Sequence, residues 1–278
     1  MKILRYLLIA VFLWNWALAE DPKPAGMDLP KPIVSLPFPV GESLVYDLYW
    51  GWIGVGQSVA TTDWEWDEEG KRWLLLIRFR TKSNGVLEKL YPVDDTVETR
   101  VDPLTLRPLS FHINLNEGRH SRDEKTIFDW ETLQASFKGV KNGKEREKTF
   151  PIKANTRDIV SFMYFMRQTP FAEKGEYDFE VLSDEKLYEL KVLSRKLEKI
   201  NLKEYGKVES LKLNPKAAFD GVFVRKGEME IWVSRDPRQI ITKAEVDTPF
   251  ANVKVLLRSV SGPGDDFWVK PKDKTSKK

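Results

Sequence analysis

Hydrophobic and polar residues alternate along most of the chain. Leu44, Tyr46, Leu48 and Trp50 alternate with Val45, Asp47, Tyr49 and Gly51, the two-residue period of a strand with one strongly apolar face. Gln57 to Trp66 forms a second run, turns at Asp67-Glu68-Glu69-Gly70 and returns through Trp73, Leu75, Ile77 and Phe79, with Arg78 and Arg80 on the other face. This predicts a hairpin. Further strands are expected around Val97 to Val101, Phe111 to Leu115, Thr126 to Trp130 and Leu133 to Phe137, and Asn142-Gly143 marks a tight turn that tolerates positive φ. A second β run covers Tyr177 to Val181, Tyr188 to Val192, Val208 to Leu213 (ending at Asn214-Pro215), Met229 to Val233, Ile241 to Val246 and Ala251 to Val260. About 12 to 15 strands at this spacing predict an all-β, mainly antiparallel fold, a sandwich or barrel.

One stretch breaks the pattern. In Asn155 to Arg167 the apolar residues Ile159, Val160, Phe162, Met163, Phe165 and Met166 cover most of a helical circumference, leaving a narrow polar strip at Arg157, Asp158 and Ser161. Asn155 or Thr156 can cap the start, Arg167 suits the negative end of the dipole, and Pro170 cannot continue the helix. A helix over 156–167 is therefore expected, and so apolar a helix needs cover. The rest of the chain offers sheet, so the predicted architecture is a strongly curved sheet, barrel-like or half-barrel, with one buried central α-helix. The helix either completes the core or lines an apolar groove, where Met163 and Met166 would give adaptable contact.

The ends of the chain modify this picture. Lys2 and Arg5 precede an apolar run from Tyr6 to Leu18, and Ala17-Leu18-Ala19 has the small-residue form of a cleavage site, so residues 1–19 are expected to be a secretory signal peptide and the location periplasmic. Prolines at 22, 24, 30, 32, 37 and 39 make 20–37 an extended spacer. A single β domain is expected over 38–262, followed at 263–278 by a basic disordered tail carrying Lys270, Lys272, Lys274, Lys277 and Lys278. The chain has no cysteine, which excludes disulfides, thiolate chemistry and a lipidated cysteine, so stability must come from burial. Its formal charge of +3 falls to +1 once Lys2 and Arg5 leave with the leader, a balance that argues against a nucleic-acid binder.

Three groups of residues give the chain a familial likeness. They are Gly41-Glu42-x-Leu44-x-Tyr46 with Trp50-x-x-Ile53-x-x-Gly56; Asp158 with Ser161, Tyr164 and Arg167; and Trp232-Val-Ser-x-Asp236. With these the chain resembles the exported bacterial family of domain of unknown function 3108 over roughly Phe38 to Val260. The resemblance implies an envelope protein of curved β architecture and assigns no catalytic residues. The chain is also similar in shape to half-barrel lipoprotein carriers, a likeness of fold alone.

No catalytic or metal signature emerges. Gly51, Gly54 and Gly56 have neither P-loop nor dinucleotide spacing. His112 and His120 are the only histidines, without zincin spacing or a nucleophile elbow, and Asp94-Asp95 reads as turn capping or exposed charge. No cofactor and no metal are expected. The sequence points to a non-enzymatic periplasmic protein that binds an apolar ligand, acyl chain or protein segment, with Trp50, Trp52, Trp73, Phe162, Met163, Met166 and Trp232 as groove candidates. Asp158, Arg167, Arg235 and Asp236 are candidates for a structural clamp, each needing a partner if buried. The alternatives are an envelope scaffold without a small ligand, reaching an envelope protein through a sheet edge or through the Pro-rich spacer and basic tail, and, third, an enzyme of unknown reaction; peripheral membrane contact is compatible with this reading.

Overall fold

The computed structural model describes residues 31–183, 185–217, 229–247 and 252–269. Before the central helix lie β1 (Ser43–Trp50), β2 (Ile53–Asp67), β3 (Arg72–Ser83), a short helix α1 (Gly85–Leu90), β4 (Asp94–Val101), β5 (Pro108–Glu117), β6 (His120–Asp129), β7 (Gln134–Lys141) and β8 (Lys144–Pro151). Then come β9 (Thr156–Asp158), the central helix α2 (Ile159–Met166), β10 (Glu176–Ser183), β11 (Lys186–Leu202), β12 (Gly206–Ala217), β13 (Met229–Ser234), β14 (Ile241–Asp247) and β15 (Asn252–Ser261). Among the described residues these strands form one sheet, β8-β7-β6-β5-β4-β3-β2-β1-β15-β14-β13-β12-β11-β10-β9.

The order explains how one sheet surrounds a helix. Strands β1 to β8 and β10 to β15 are successive antiparallel neighbours, and β1 joins the two runs by pairing with β15. The last strand, β9, is parallel to β10, which makes the sheet mixed. Bulges interrupt the register between Val45 and Tyr46, between Leu48 and Tyr49 and between Ser194 and Leu197, and each extra residue raises local twist and bend. The sheet curls until β9 meets β5 and α2 touches β3 and β4 on one side and β9 and β10 on the other. It is barrel-like without closing into a ladder.

The helix is the wall between two halves of the core. Val160 and Tyr164 pack with Leu75, Ile77, Val97 and Phe111 of the N-terminal half. Phe162 and Met166 pack with Val181, Leu190, Leu213 and Ile231 of the C-terminal half. Ile159 and Met163 lean on both. A third cluster around Leu44, Tyr46, Ala60, Trp232 and Leu257 fills the region where β1 and β15 meet.

Several boundaries differ from expectation. The helix begins at Ile159 because Asp158, extended at φ −73° and ψ 170°, is its N-cap, and the three residues before it pair with β10. Asp158 has a better acceptor for the first-turn N–H groups than Asn155 or Thr156 can place there. The expected polar strip of Arg157, Asp158 and Ser161 is buried as well. Strand β12 continues through Pro215, at a point where its ladder to β13 has already ended at Leu213, the kind of site where a missing N–H is tolerated. The folded chain also runs past 262: Trp268 is buried in the third cluster, and Asp266 pairs with Arg238. Leu36, assigned to the spacer, packs against the core. The expected leader, the first three prolines of the expected spacer and the tail lysines lie outside the described residues.

Candidate functional site

The most organised chemistry sits where the chain enters the sheet. Arg167, at the C-cap of α2, is 4% exposed and points at Glu42, which is fully buried just before β1. Its Nη1 and Nη2 donate to Oε1 and Oε2 of Glu42 at 2.5 and 3.1 Å, and its Nε donates to the carbonyl of Arg238 at 2.9 Å. Arg238 lies in the β13–β14 turn and donates from Nη1 to Glu42 Oε2 at 3.1 Å, from Nη2 to the carbonyl of Pro263 at 2.9 Å and from Nε to Asp266 Oδ2 at 2.7 Å. Two cations and two anions thus tie the helix, the start of β1, the β13–β14 turn and the C-terminal segment together. Burial alone would pull the Arg167 pKa down, but the charge and hydrogen bonds of Glu42 hold it above its ordinary value. Burial opposes ionisation of Asp266 too, yet the N–H groups of Val269 and Trp268, with Arg238, keep it below the usual carboxylate range.

The backbone is shaped to admit this network. A Cβ on Gly264, at φ +134°, would lie 2.2 Å from Arg238 Nη2, and one on Gly262 would lie 2.3 Å from the carbonyl oxygen of Gly41. Only glycine permits these approaches. Aromatic rings enclose the cation: the Arg167 guanidinium lies 4.7 Å from the centroid of Phe38 and 5.2 Å from that of Tyr164.

Above this network runs a groove of about 580 Å³, within the usual size range of ligand sites. Its walls are the N-terminal strap from Pro32 to Val40 and Trp64, and its floor carries Arg238, Gly264 and Asp266. The strap crosses the aromatic end of the β2–β3 hairpin. Trp66 and Trp73 meet there edge to face at 5.4 Å, and Lys31 Nζ stands 5.9 Å from the Trp73 ring. Both charges on the floor are paired with each other, and the surface offered to a ligand mixes polar groups with the prolyl, aliphatic and indole faces of the walls.

The seven groove candidates do not converge. Phe162 and Met166 are core residues and Met163 is half-buried between the two halves. Trp232 alternates with Ile231 and Val233, so it lies on the opposite face of β13, its ring covered by Lys212 and Lys243 at 5.0 and 4.2 Å and its Nε1 donating to Glu198. Trp50 and Trp52 stand exposed at the β1–β2 turn. Of the seven, only Trp73 lies by the strap, and its companions Trp64 and Trp66 escaped selection although their period-two spacing puts them on one face.

The clamp is built differently from expectation. Asp158 does hold the helix: its Oδ1 accepts from the N–H of Val160 and Ser161 at 2.8 and 2.9 Å, and its Oδ2 accepts from Thr99 at 2.7 Å and from the Ser161 hydroxyl at 2.8 Å, bridging to β4. Burial nevertheless raises its pKa. Arg235 donates to the carbonyl of Phe171, and Asp236 accepts from the N–H of Arg238. These two shape the turn, while the partners of Arg167 are Glu42 and Arg238, which sequence reasoning missed. Glu42 stood in the quoted Gly-Glu-x-Leu-x-Tyr motif, and a buried position before an apolar strand was the available signal.

The polar candidates separate. His112 meets Asp123 at 2.7 Å on the outer face, and His120 borders a shallow cleft of about 420 Å³ with Lys82, Asp94 and Arg119. Asp94 is exposed beside Lys82. Asp95 is not the exposed charge expected: it starts the inward face of β4, is 1% exposed, and burial, with Glu117 and Asp94 near it, pushes its pKa up to about 8. Arg157 is buried and, among the described residues, has no carboxylate salt bridge; it donates to the carbonyls of Thr156 and Thr105, and burial and Arg107 pull its pKa down to about 10.

Comparison with known proteins bears on family and fold. The sequence profile described as protein of unknown function (DUF3108) matches residues 45–258, and the chain belongs to this family. Among solved structures it is similar to a beta-barrel-like protein of domain of unknown function DUF1849 from Brucella abortus, at 12% identity and a TM-score of 0.53, covering 81% of this chain and 98% of that one. That likeness is one of fold. No curated protein matches.

Proposed function

We propose that this member of the family is an exported, non-enzymatic binding module of the cell envelope that holds an acyl chain in the strap-covered groove. The observation that carries the reading is the groove itself, an open cleft of about 580 Å³ walled by the prolyl and aliphatic residues of the strap and by Trp64, and laid over a rigid charge network. Support for a binding role comes from the location of the perturbed groups. Asp158 and Arg167 are committed to holding the helix, and the groove charges neutralise each other. The leader-like first 19 residues support export. This moves the binding space expected beside α2 to the strap, because both faces of the helix are occupied by packed side chains.

The purified processed protein, delipidated and examined by native mass spectrometry and by displacement of a fluorescent fatty acid, is expected to retain one acyl chain. Trp64→Ala should weaken retention. Absence of both copurified and added lipid would overturn the reading. A second reading, a scaffold that contacts an envelope surface without a small ligand, is favoured by one specific observation, the exposed aromatic turn between β1 and β2.

A further inference from the structure

A two-residue hairpin turn in the N-terminal half carries a cluster of exposed hydrophobic side chains. Trp50 and Ile53 close a two-residue turn whose first residue, Gly51, sits at φ +61°, the position and residue that a type II′ hairpin turn favours. Trp52 is 89% exposed, Ile53 50% and Trp50 41%. The turn is well anchored: the Gly51 N–H donates to the carbonyl of Asn252 at 2.7 Å, and β1 is paired on both sides. These are therefore rigidly presented side chains. Among the described residues no core cluster includes them, and burying a Trp and an Ile is worth more to a fold than leaving them in water.

We infer that this turn docks the protein on a lipid surface, with the indoles at the headgroup level. Size and chemistry both favour lipid over a protein partner. The three side chains present a few hundred Å², roughly half of the ~800 Å² that a stable protein interface takes from one partner. A pointed tip also suits insertion between headgroups better than a flat complementary surface. Trp is the side chain whose apolar ring and N–H suit the membrane–water boundary. Cations accompany it: Lys254 Nζ lies 4.7 Å from the Tyr49 ring on the adjoining strand, and exposed Lys89 and Arg119 occupy connections at the same end of the strands. Each such charge adds attraction to an anionic leaflet.

The inference leans on the export reading only for its setting. Vesicle binding by purified protein does not depend on where the cell sends it, and it stands or falls separately from the groove. Because the chain lacks cysteine, Ile53→Cys and Leu104→Cys can each carry one environment-sensitive fluorophore. Leu104 is exposed in the β4–β5 turn, at the opposite end of the strands. With vesicles of phosphatidylethanolamine and phosphatidylglycerol, the label at 53 is expected to shift to the blue and brighten severalfold, while the label at 104 stays unchanged. In flotation assays Trp50→Ala/Trp52→Ala should lower the partition coefficient at least tenfold at unchanged melting temperature. An unchanged label at 53 in saturating lipid, equal responses at both positions, a shift at 53 that needs only higher protein concentration, or wild-type flotation of the double variant would each overturn the inference.

Discussion

Replacing Glu42 with Gln tests the network that joins both ends of the fold to the helix. The substitution keeps the shape of the side chain and removes one negative charge from a site where Arg167 and Arg238 both depend on it. Buried charge then goes from balanced to an excess of one cation. At an effective dielectric constant of 20, one pair at 4 Å is worth about 4 kcal/mol, and removing one partner of a buried pair typically costs ~3–5 kcal/mol. The new amide N–H₂ must also face guanidinium donors. A loss of ~3–5 kcal/mol is expected, which for a chain of this size lowers the melting temperature by roughly 6–20 °C.

Urea unfolding followed by tryptophan fluorescence gives the free energy, and a constant m-value shows that the native state is otherwise intact. Arg167→Met in the Glu42→Gln background restores the charge balance, so the double variant should lose at least ~1 kcal/mol less than the sum of the singles. A Glu42→Gln loss below ~1 kcal/mol, or strict additivity, would refute the claim that these charges act as one unit.

Other perturbations probe separate parts of the fold. Phe162→Ala should cost ~3–5 kcal/mol in chemical denaturation because the helix is core; a much smaller loss would make it a movable plug beside open space. Asp95, with its folded pKa raised to about 8 from 3.8, holds a proton that the unfolded chain gives up near pH 4. Its contribution to stability is therefore full below about pH 4 and is lost as pH rises through about 8, with a slope of up to ~1.4 kcal/mol per pH unit. Asp95→Asn should accordingly stabilise the protein relative to wild type more at pH 8 than at pH 5, and equal effects at both would contradict the burial. Gly264→Ala should destabilise the fold by driving a methyl into Arg238, read as a lower urea midpoint, and should loosen binding in the groove.

Local signals made the strands legible and long-range partners were not. Leu44, Tyr46 and Leu48 are buried as their alternation requires, and Asn142 and Gly143 both take the positive φ their turn needs, at +51° and +76°. The central helix was visible because six apolar residues cannot share one face of a strand. Its start was misplaced because three residues of β9 are too few to show a period, and their partners in β10 lie 24 residues on, as in Thr156 with Glu180. Arg167 and Glu42 are 125 positions apart, and Arg238 and Glu42 are 196 apart, separations at which spacing carries no information. Asp94 and Asp95 are chemically alike, and only the register of β4 sends the second one inward. The methionines of the helix suggest a groove beside it, but the space there is filled by packed side chains, and the open cleft lies under the proline-rich strap that composition alone marks as a spacer.

A sheet that curls without closing leaves two edges to manage, since an unpaired strand edge is a template for another chain. At one edge, β8 reads Lys144, Glu145, Arg146, Glu147, Lys148, Thr149, charged on both faces and exposed along that run. Charge of both signs there makes stacking of a second copy costly, and Pro151 removes a donor at the strand's end. At the other edge, β9 has only three residues, all buried, and they face Thr99 and Thr105 of the N-terminal half through Asp158 and Arg157. The gap between the edges is crossed by side chains: Arg146 pairs with Glu185, Lys148 donates to the Glu185 carbonyl, and Lys153 pairs with Glu180. The cations of these pairs are solvent-exposed while their carboxylates are largely covered; salt screens them more than it does the buried network, so the seam is the part of the fold that should yield first as ionic strength rises. Hydrogen exchange at increasing salt should then show faster exchange in β8 and the β10–β11 turn while the amides of α2 remain protected. Uniform exchange across seam and helix would mean that the sheet is held shut by its core alone.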